Sequence, residues 1–115
     1  MIAQTLHLNN GRTLHQYRGH ASNQYILEDH GNGATFLIDC GMPTDAPGLK
    51  RILKDMPSLK RVVITHFHVD HVSGWIELKQ YFPAAELWLH EKARSLVKGS
   101  ETIPLPGFRA LKEVL

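Results

Sequence analysis

The sequence predicts an α/β domain of mixed α+β character, with crossover helices returning to one sheet. Two hairpin signals fall within the first 40 residues. A cluster of chain-breaking residues follows at Gly41, Pro43, Pro47 and Gly48. Beyond it the apolar spacing changes from strand-like to helical, and short strands then alternate with helices, the order that builds parallel crossovers. With 115 residues and no repeat, low-complexity tract or linker-like shift in composition, residues 1–115 read as a single domain.

Each element has a local cause. Ala3–Leu8 and Thr13–Arg18 flank Asn9-Asn10-Gly11, a hairpin signal because Asn and Gly tolerate positive φ. Asn23–Asp29 and Ala34–Asp39 flank His30-Gly31-Asn32-Gly33 and read as a second hairpin. The run Thr35-Phe36-Leu37-Ile38 is continuously apolar or β-branched, the pattern of a strand buried on both faces. Leu49, Ile52, Leu53 and Met56 form the stripe of an amphipathic helix, which Pro57 stops. Arg61–Thr65 is a short apolar strand, and Trp75–Phe82 resumes helical spacing. Glu86–Leu89 reads as a further strand, followed by a helix over Glu91–Lys98 that Gly99 ends. Phe108, Leu111 and Leu115 keep helical spacing to the last residue with no capping residue after them, the pattern both of a truncated domain and of a frayed terminal helix docked on the core.

Composition excludes several classes. Hydrophobic residues are 43% and charged residues 21%, the balance of a globular chain rather than a disordered one. A net charge of +2, with its basic residues scattered, is no electrostatic footprint for nucleic acid. No apolar run approaches the ~20 residues that span a bilayer, and the first ten residues lack the basic start and apolar stretch of a signal peptide. The single cysteine, Cys40, excludes an internal disulfide and fits a reducing, cytoplasmic setting.

Histidine is the unusual entry in the composition, eight in 115 residues. Three of them lie in Thr65-His66-Phe67-His68-Val69-Asp70-His71-Val72-Ser73-Gly74. His66 and His68 are two apart at a strand end, so both rings project to one side and can share a Zn²⁺ ion. Asp70 and His71 follow where the chain turns toward a helix, and can reach a second ion beside the first. Four ligands in so short a stretch suggest half of a two-metal site, which holds hydroxide at neutral pH and polarises the bond it attacks. His/Asp donors suit Zn²⁺ and, less well, Fe²⁺ or Mn²⁺.

The motif His66-x-His68-x-Asp70-His71 after Arg61-Val62-Val63-Ile64-Thr65 resembles the signature of the metallo-β-lactamase-fold hydrolases. Ser22-Asn23-Gln24-Tyr25-Ile26-Leu27 and Phe36-Leu37-Ile38-Asp39-Cys40-Gly41 resemble that family's second hairpin and the strand end that follows it. The resemblance implies the N-terminal half of an αββα sandwich, a mixed sheet with helices on one face. It assigns His66 and His68 to a first metal, and Asp70 and His71 to a second, with Asp70 also acting as the base that orients the attacking hydroxide. The implied activity is hydrolysis of an ester, thioester, lactone, lactam or phosphodiester. Val69 and the near-neutral charge tilt the substrate toward small carboxyl-type molecules. The remaining ligands of complete members come from a C-terminal half, so the expected partner is that half or a second copy of the chain. The alternative is a catalytically silent metal-binding or interaction fragment.

Other residues carry weaker expectations. Asp39 is a candidate to support a metal-bound histidine, or else it caps the turn at Cys40-Gly41. His90 and Glu91 follow a strand and could reach the same sheet end. His20 lies in a loop before the second hairpin, and His7, His15 and His30 read as strand-surface or turn residues. Thr65 is expected to bond backbone, Cys40 to be a small buried residue, and Trp75 and Phe82 to be core, with Trp75 able to wall a pocket.

Overall fold

The alternating apolar residues of the first half and the helical stripes of the second meet on one side of a single six-stranded sheet. In the computed structural model, residues 1–66 and 69–89 are described, with the backbone alone at Val69 and Asp70. The strands are β1 (Ile2–His7), β2 (Arg12–Arg18), β3 (Asn23–Asp29), β4 (Ala34–Ile38), β5 (Ser58–Val63) and β6 (Glu86–Trp88). They lie in sequence order across the sheet. β1 to β4 pair antiparallel, and β4, β5 and β6 pair parallel. A single 3₁₀ turn over Pro43–Asp45 leads into α1 (Ala46–Leu53). The short α2 (Val69–Val72) and α3 (Trp75–Tyr81) connect β5 to β6.

The first hairpin forms as its turn chemistry requires: Asn10 and Gly11 both take positive φ, 63° and 72°. The second is closed by the Asp29 carboxylate, which accepts the side-chain N–H of Asn32 at 2.8 Å. Those hydrogen bonds hold the Asp29 carboxyl below its usual range. Pairing in register sets Ile26 against Leu37 and Leu37 against Val62, and all three are fully buried. Leu49 and Leu53 of α1 and Trp75 and Leu78 of α3 complete this core, so the helices share one face of the sheet.

The opposite face departs from the expectation for β4. Thr35 and Leu37 are buried, while Phe36 and Ile38 are only half-buried. Phe36 shares its face with Leu27 across the ladder, and with Leu14, Ile38 and Val63 it forms a half-buried apolar surface. Tyr25 and Trp88 on that side are exposed. No layer of the described residues covers it.

β5 begins three residues earlier and ends two earlier than its apolar run suggests, because parallel pairing with β4 starts at Ser58 opposite Ala34. α1 likewise ends at Leu53, before Met56. His15, expected at the surface, is buried. It alternates with Tyr17 onto the helix-covered face, where Nε2 pairs with Glu28 at 2.7 Å and Nδ1 bonds the Thr5 hydroxyl at 2.8 Å. The expected helix over Glu91–Lys98 and the helical spacing at Phe108–Leu115 lie outside the described residues, as do His90 and Glu91. No described helix is long and apolar enough to cross a membrane.

Candidate metal centre

The start of β3 and the ends of β4 and β5 share one end of the sheet, as the pairing of Tyr25 with Ile38 and Ile38 with Val63 fixes. This is the end where ligands gather on α/β sheets, outside the carboxyl termini of parallel strands. Two of the four sequence-predicted ligands can be placed here, and they converge. The rings of His66 and His71 lie 5.3 Å apart, centroid to centroid, tilted by 42°. His68 lies outside the described residues. Asp70 has its backbone in α2, and its side chain is likewise outside them.

Asp39 connects the two histidines. It follows β4 with φ at +65°, a left-handed conformation that Asp tolerates better than most residues. Its amide N–H donates to the carbonyl of Val63 at 2.8 Å, holding the residue against the end of β5. The carboxylate, almost fully buried, accepts the Thr65 amide N–H on Oδ1 at 2.8 Å and the Thr65 hydroxyl on Oδ2 at 2.7 Å. His71 Nδ1 lies 2.9 Å from the same Oδ2. The Thr65 hydroxyl is also 3.0 Å from His66 Nδ1.

The donor and acceptor roles follow from chemistry. An ionised carboxylate only accepts, so His71 Nδ1 and the Thr65 hydroxyl must both donate to it. With its proton committed to Asp39, the hydroxyl presents a lone pair, and His66 Nδ1–H donates to that. Both imidazoles are thereby set in the tautomer that leaves Nε2 as the lone-pair nitrogen. That is the state a metal ligand needs, and a carboxylate behind a histidine is the usual way to fix it. Asp39 acts on His71 directly and on His66 through Thr65. The expectation that Thr65 bonds backbone is corrected: its hydroxyl serves the carboxylate and the ring, because the left-handed turn at Asp39 aims the side chain across to the end of β5.

The backbone holds this arrangement from behind. The amide of Cys40 donates to the carbonyl of His71 at 2.7 Å, and that of Gly74 to the carbonyl of Gly41 at 2.9 Å. Gly74 has to be glycine, since a Cβ there would lie 2.5 Å from the carbonyl oxygen of Cys40 and 2.9 Å from that of Met42. Cys40 is fully buried, and burial pushes its thiol well above the ordinary range. It is a packing residue, as expected, and not a nucleophile. Trp75 is buried core. Among the described residues no group of three or more metal-ligating side chains converges. The two imidazoles, each bonded behind its Nδ1, are ligands of the type a divalent cation takes.

A second carboxylate–imidazole pair stands at the same sheet end and joins the loop residue His20 to Asp45. Asp45 is buried. Its Oδ1 accepts the amide N–H of His20 at 2.9 Å and faces His20 Nδ1, and its Oδ2 accepts the Met42 N–H at 2.8 Å. The partners are 25 residues apart, and no local spacing announces them.

Comparison with known proteins identifies the family and the fold. Residues 17–109 match the family model of the metallo-beta-lactamase superfamily. A hydroxyacylglutathione hydrolase of Rhodopseudomonas palustris (strain BisB18) is 39% identical over 56 residues, which cover 49% of this chain and 21% of that protein. Among solved structures, BLEG-1 B3 metallo-beta-lactamase superposes with a TM-score of 0.63 at 24% identity, covering 73% of this chain and 40% of that one. BJP-1, a subclass B3 metallo-beta-lactamase of Bradyrhizobium japonicum, gives 0.63 at 21% identity, covering 83% and 36%. The structural likenesses speak for the fold. The chain spans about a fifth of that hydrolase's length (21%) and well under half of either lactamase.

Proposed function

The chain belongs to the metallo-beta-lactamase superfamily, and on that premise we propose that it carries the HxHxDH half of a zinc-dependent hydrolase of acyl substrates. The observation that supports this most directly is Asp39, which sets both His66 and His71 in the tautomer whose Nε2 is the ligand nitrogen. His68 and Asp70 join them by resemblance, with Asp70 the base for the attacking water. A bound divalent cation supplies Lewis acidity, lowering the pKa of water toward neutrality and polarising the acyl oxygen. The chain's own part is orientation: Asp39 and Thr65 hold two imidazoles on strand and helix ends that the core keeps rigid.

The hydrolase named above acts, by its name, on hydroxyacylglutathione, so a hydroxyacyl thioester is the first substrate to try, ahead of oxygen esters, lactams and phosphodiesters. The half-buried apolar face of Leu14, Leu27, Phe36, Ile38 and Val63 supports a second layer, supplied by a complementary half or a second copy that would also complete the coordination. That same face supports the second reading, a metal-binding fragment that is silent until it is paired. We further place the protein in the cytoplasm, on its single, buried cysteine.

The test is zinc content and solution mass of the purified chain, with hydrolysis of hydroxyacylglutathione, a simple ester and a cephalosporin measured on the same sample. Zinc-dependent cleavage abolished by His66→Ala supports the hydrolase. Zinc held at one or two ions per chain without turnover favours the silent fragment. No zinc bound in any oligomeric state refutes both.

A further inference from the structure

We propose that His20, oriented by the buried Asp45, is a proton-transfer residue at the rim of this metal centre; the assignment rests on the hydrolase reading above and adds a residue to it. The His20 side chain is 67% exposed while that of its carboxylate partner is 1% exposed. Asp45 needs no ring to fulfil a structural role. Its two backbone donors, His20 N–H and Met42 N–H, already tie the β2–β3 turn to the 3₁₀ turn. The imidazole adds little burial, and its position on the carboxylate fixes its direction. Because the carboxylate only accepts, Nδ1 carries the proton that faces Asp45 and Nε2 points outward. A base oriented by a third group in this way is the arrangement of acid–base catalysis.

Its place in the fold brings it to the reaction. His20 immediately precedes β3, at the sheet end that carries Asp39, Thr65 and His66. A Cβ on Gly41 would touch Asp45 Oδ2, and Gly41 is two residues from Asp39. Two residues span at most ~3.6 Å each, so that carboxylate oxygen lies within about 11 Å of the Asp39 Cα. Proton transfer needs His20 Nε2 within hydrogen-bond reach of the leaving heteroatom or one water away, and the Mn²⁺ titration below reads that proximity. Gly19, next to His20, is crowded in the same way: a Cβ there would lie 2.6 Å from Gln24 Oε1 and 3.0 Å from Asp45 Oδ2. The turn is thus packed against the carboxylate, and the ring has a fixed base.

The chemistry balances. Water adds to the acyl carbon and passes a proton to Asp70. The bond from that carbon to the leaving heteroatom breaks, and the heteroatom takes the Nε2 proton of the His20 imidazolium. His20 is left as the Nδ1–H tautomer already bonded to Asp45, so no ring rotation accompanies the transfer. The product acid then ionises, one proton restores His20, Asp70 returns its proton to solvent, and one proton is released in all. Leaving groups differ in their need for this step. A thiolate, with a pKa near ~8.5, departs readily, and an alkoxide does not.

The experiment uses the full chain labelled with ¹⁵N on its histidines, with Mn²⁺ alone as the probe, followed by turnover. Titrated Mn²⁺ should broaden His66 and His71 ring signals first, and His20 an order of magnitude more strongly than His30, which lies at the far end of β3. Asp45→Asn should shift His20 away from the Nδ1–H tautomer while melting confirms the fold. In turnover, His20→Gln should slow an oxygen ester about 100-fold, and by at least an order of magnitude more than the thioester. Broadening of His66 and His71 without His20, or equal losses on both substrates, overturns the role of His20 and leaves the hydrolase reading standing. No broadening at any histidine, or Mn²⁺ held with no turnover of either substrate by the native chain, overturns the hydrolase reading and this role with it.

Discussion

Asp39→Asn is the sharpest perturbation of the proposed metal centre, because it changes hydrogen-bond direction and little else. Asn tolerates the left-handed backbone at φ +65° as Asp does. Its side-chain oxygen can keep the Thr65 N–H bond of 2.8 Å. The amide nitrogen then stands where Oδ2 was, facing His71 Nδ1 at 2.9 Å and the Thr65 hydroxyl at 2.7 Å. Both partners can answer by reversing: His71 accepts on Nδ1, and the hydroxyl accepts from the amide and donates to His66. The fold therefore loses only about 1 kcal/mol, the net worth of a typical hydrogen bond. Each ring now carries its proton on Nε2, and metal binding must undo two such bonds at ~1 kcal/mol each, about 2 kcal/mol in all. That is roughly a 30-fold loss of zinc affinity, inside the 10–100-fold range for supporting residues. Zinc affinity measured by chelator competition, ¹⁵N shifts of the two imidazoles and a thermal melt test all three parts. Asp39→Ala is the contrast, since it strands the donors and places a β-carbon residue in a left-handed turn, so stability should fall with affinity. Native tautomers in Asp39→Asn, with zinc affinity within twofold of the parent, would refute the reasoning.

Thr65→Val should move His66 to mixed tautomers and leave His71 as it is, while Thr65→Ser preserves both, read in the same ¹⁵N spectra. Gly74→Ala drives a methyl group into the carbonyls of Cys40 and Met42 and should cost about 1–3 kcal/mol, lowering Tm by several degrees. Zinc affinity should fall with it, since the Cys40–His71 backbone bond is strained. Gly48→Ala puts a methyl group onto the Tyr17 hydroxyl, whose ring carbon stands 3.5 Å from the same point. The usual helix gain of ~1 kcal/mol should turn into a loss and reappear in a Tyr17→Phe background, a coupling of about 1–3 kcal/mol in a double-mutant cycle. The lowered Asp29 carboxyl, caused first by the Asn32 side chain, contributes stability above the unfolded value of ~3.9, and that stability is lost as pH falls through the lower folded value. Asn32→Ala should therefore lower stability at pH 7 and flatten the acid limb of the pH–stability profile below about pH 4, parent and variant converging once the carboxyl is protonated.

What the sequence disclosed is what lies close along the chain. Asn10-Gly11 and the periodicity of Leu49 and Leu53 report on turns and helix faces within a few residues, and those elements form there, α1 stopping short of Met56. The proposed ligands His66 and His71 are five residues apart, and one turn of α2 brings them together. The features that local sequence does not encode depend on long-range pairing. β5 starts at Ser58 because β4 offers it a parallel partner, which no property of Ser58 or Lys60 announces. Ile38 and Phe36 read as doubly buried because apolar composition does not say whether a second layer is present. Thr65 and Asp39 are 26 residues apart, as the 2.7 Å bond between them records. His15 is buried because Glu28 and Thr5, on the two neighbouring strands, satisfy both of its ring nitrogens.

The segment from Asp39 to Asp45 shows why the histidine motif needs its fold. Its first residue ends a strand locked to β5, and its last residue leads into α1, whose Leu49 is fully buried. Gly41, at φ +67°, lets the chain bend between them while the Asp45 carboxylate packs against it. Each end of the segment thus presents one immobilised carboxylate, and each carboxylate sets the protonation of an imidazole that sequence spacing alone leaves free. A peptide containing only Thr65 to Gly74 would keep every ligand of the motif and lose the acceptor that orients them. Its histidines would exchange tautomers, and zinc binding would have to pay the ordering of each ring afresh. The motif supplies the donor atoms, and the β4–α1 segment makes them a site.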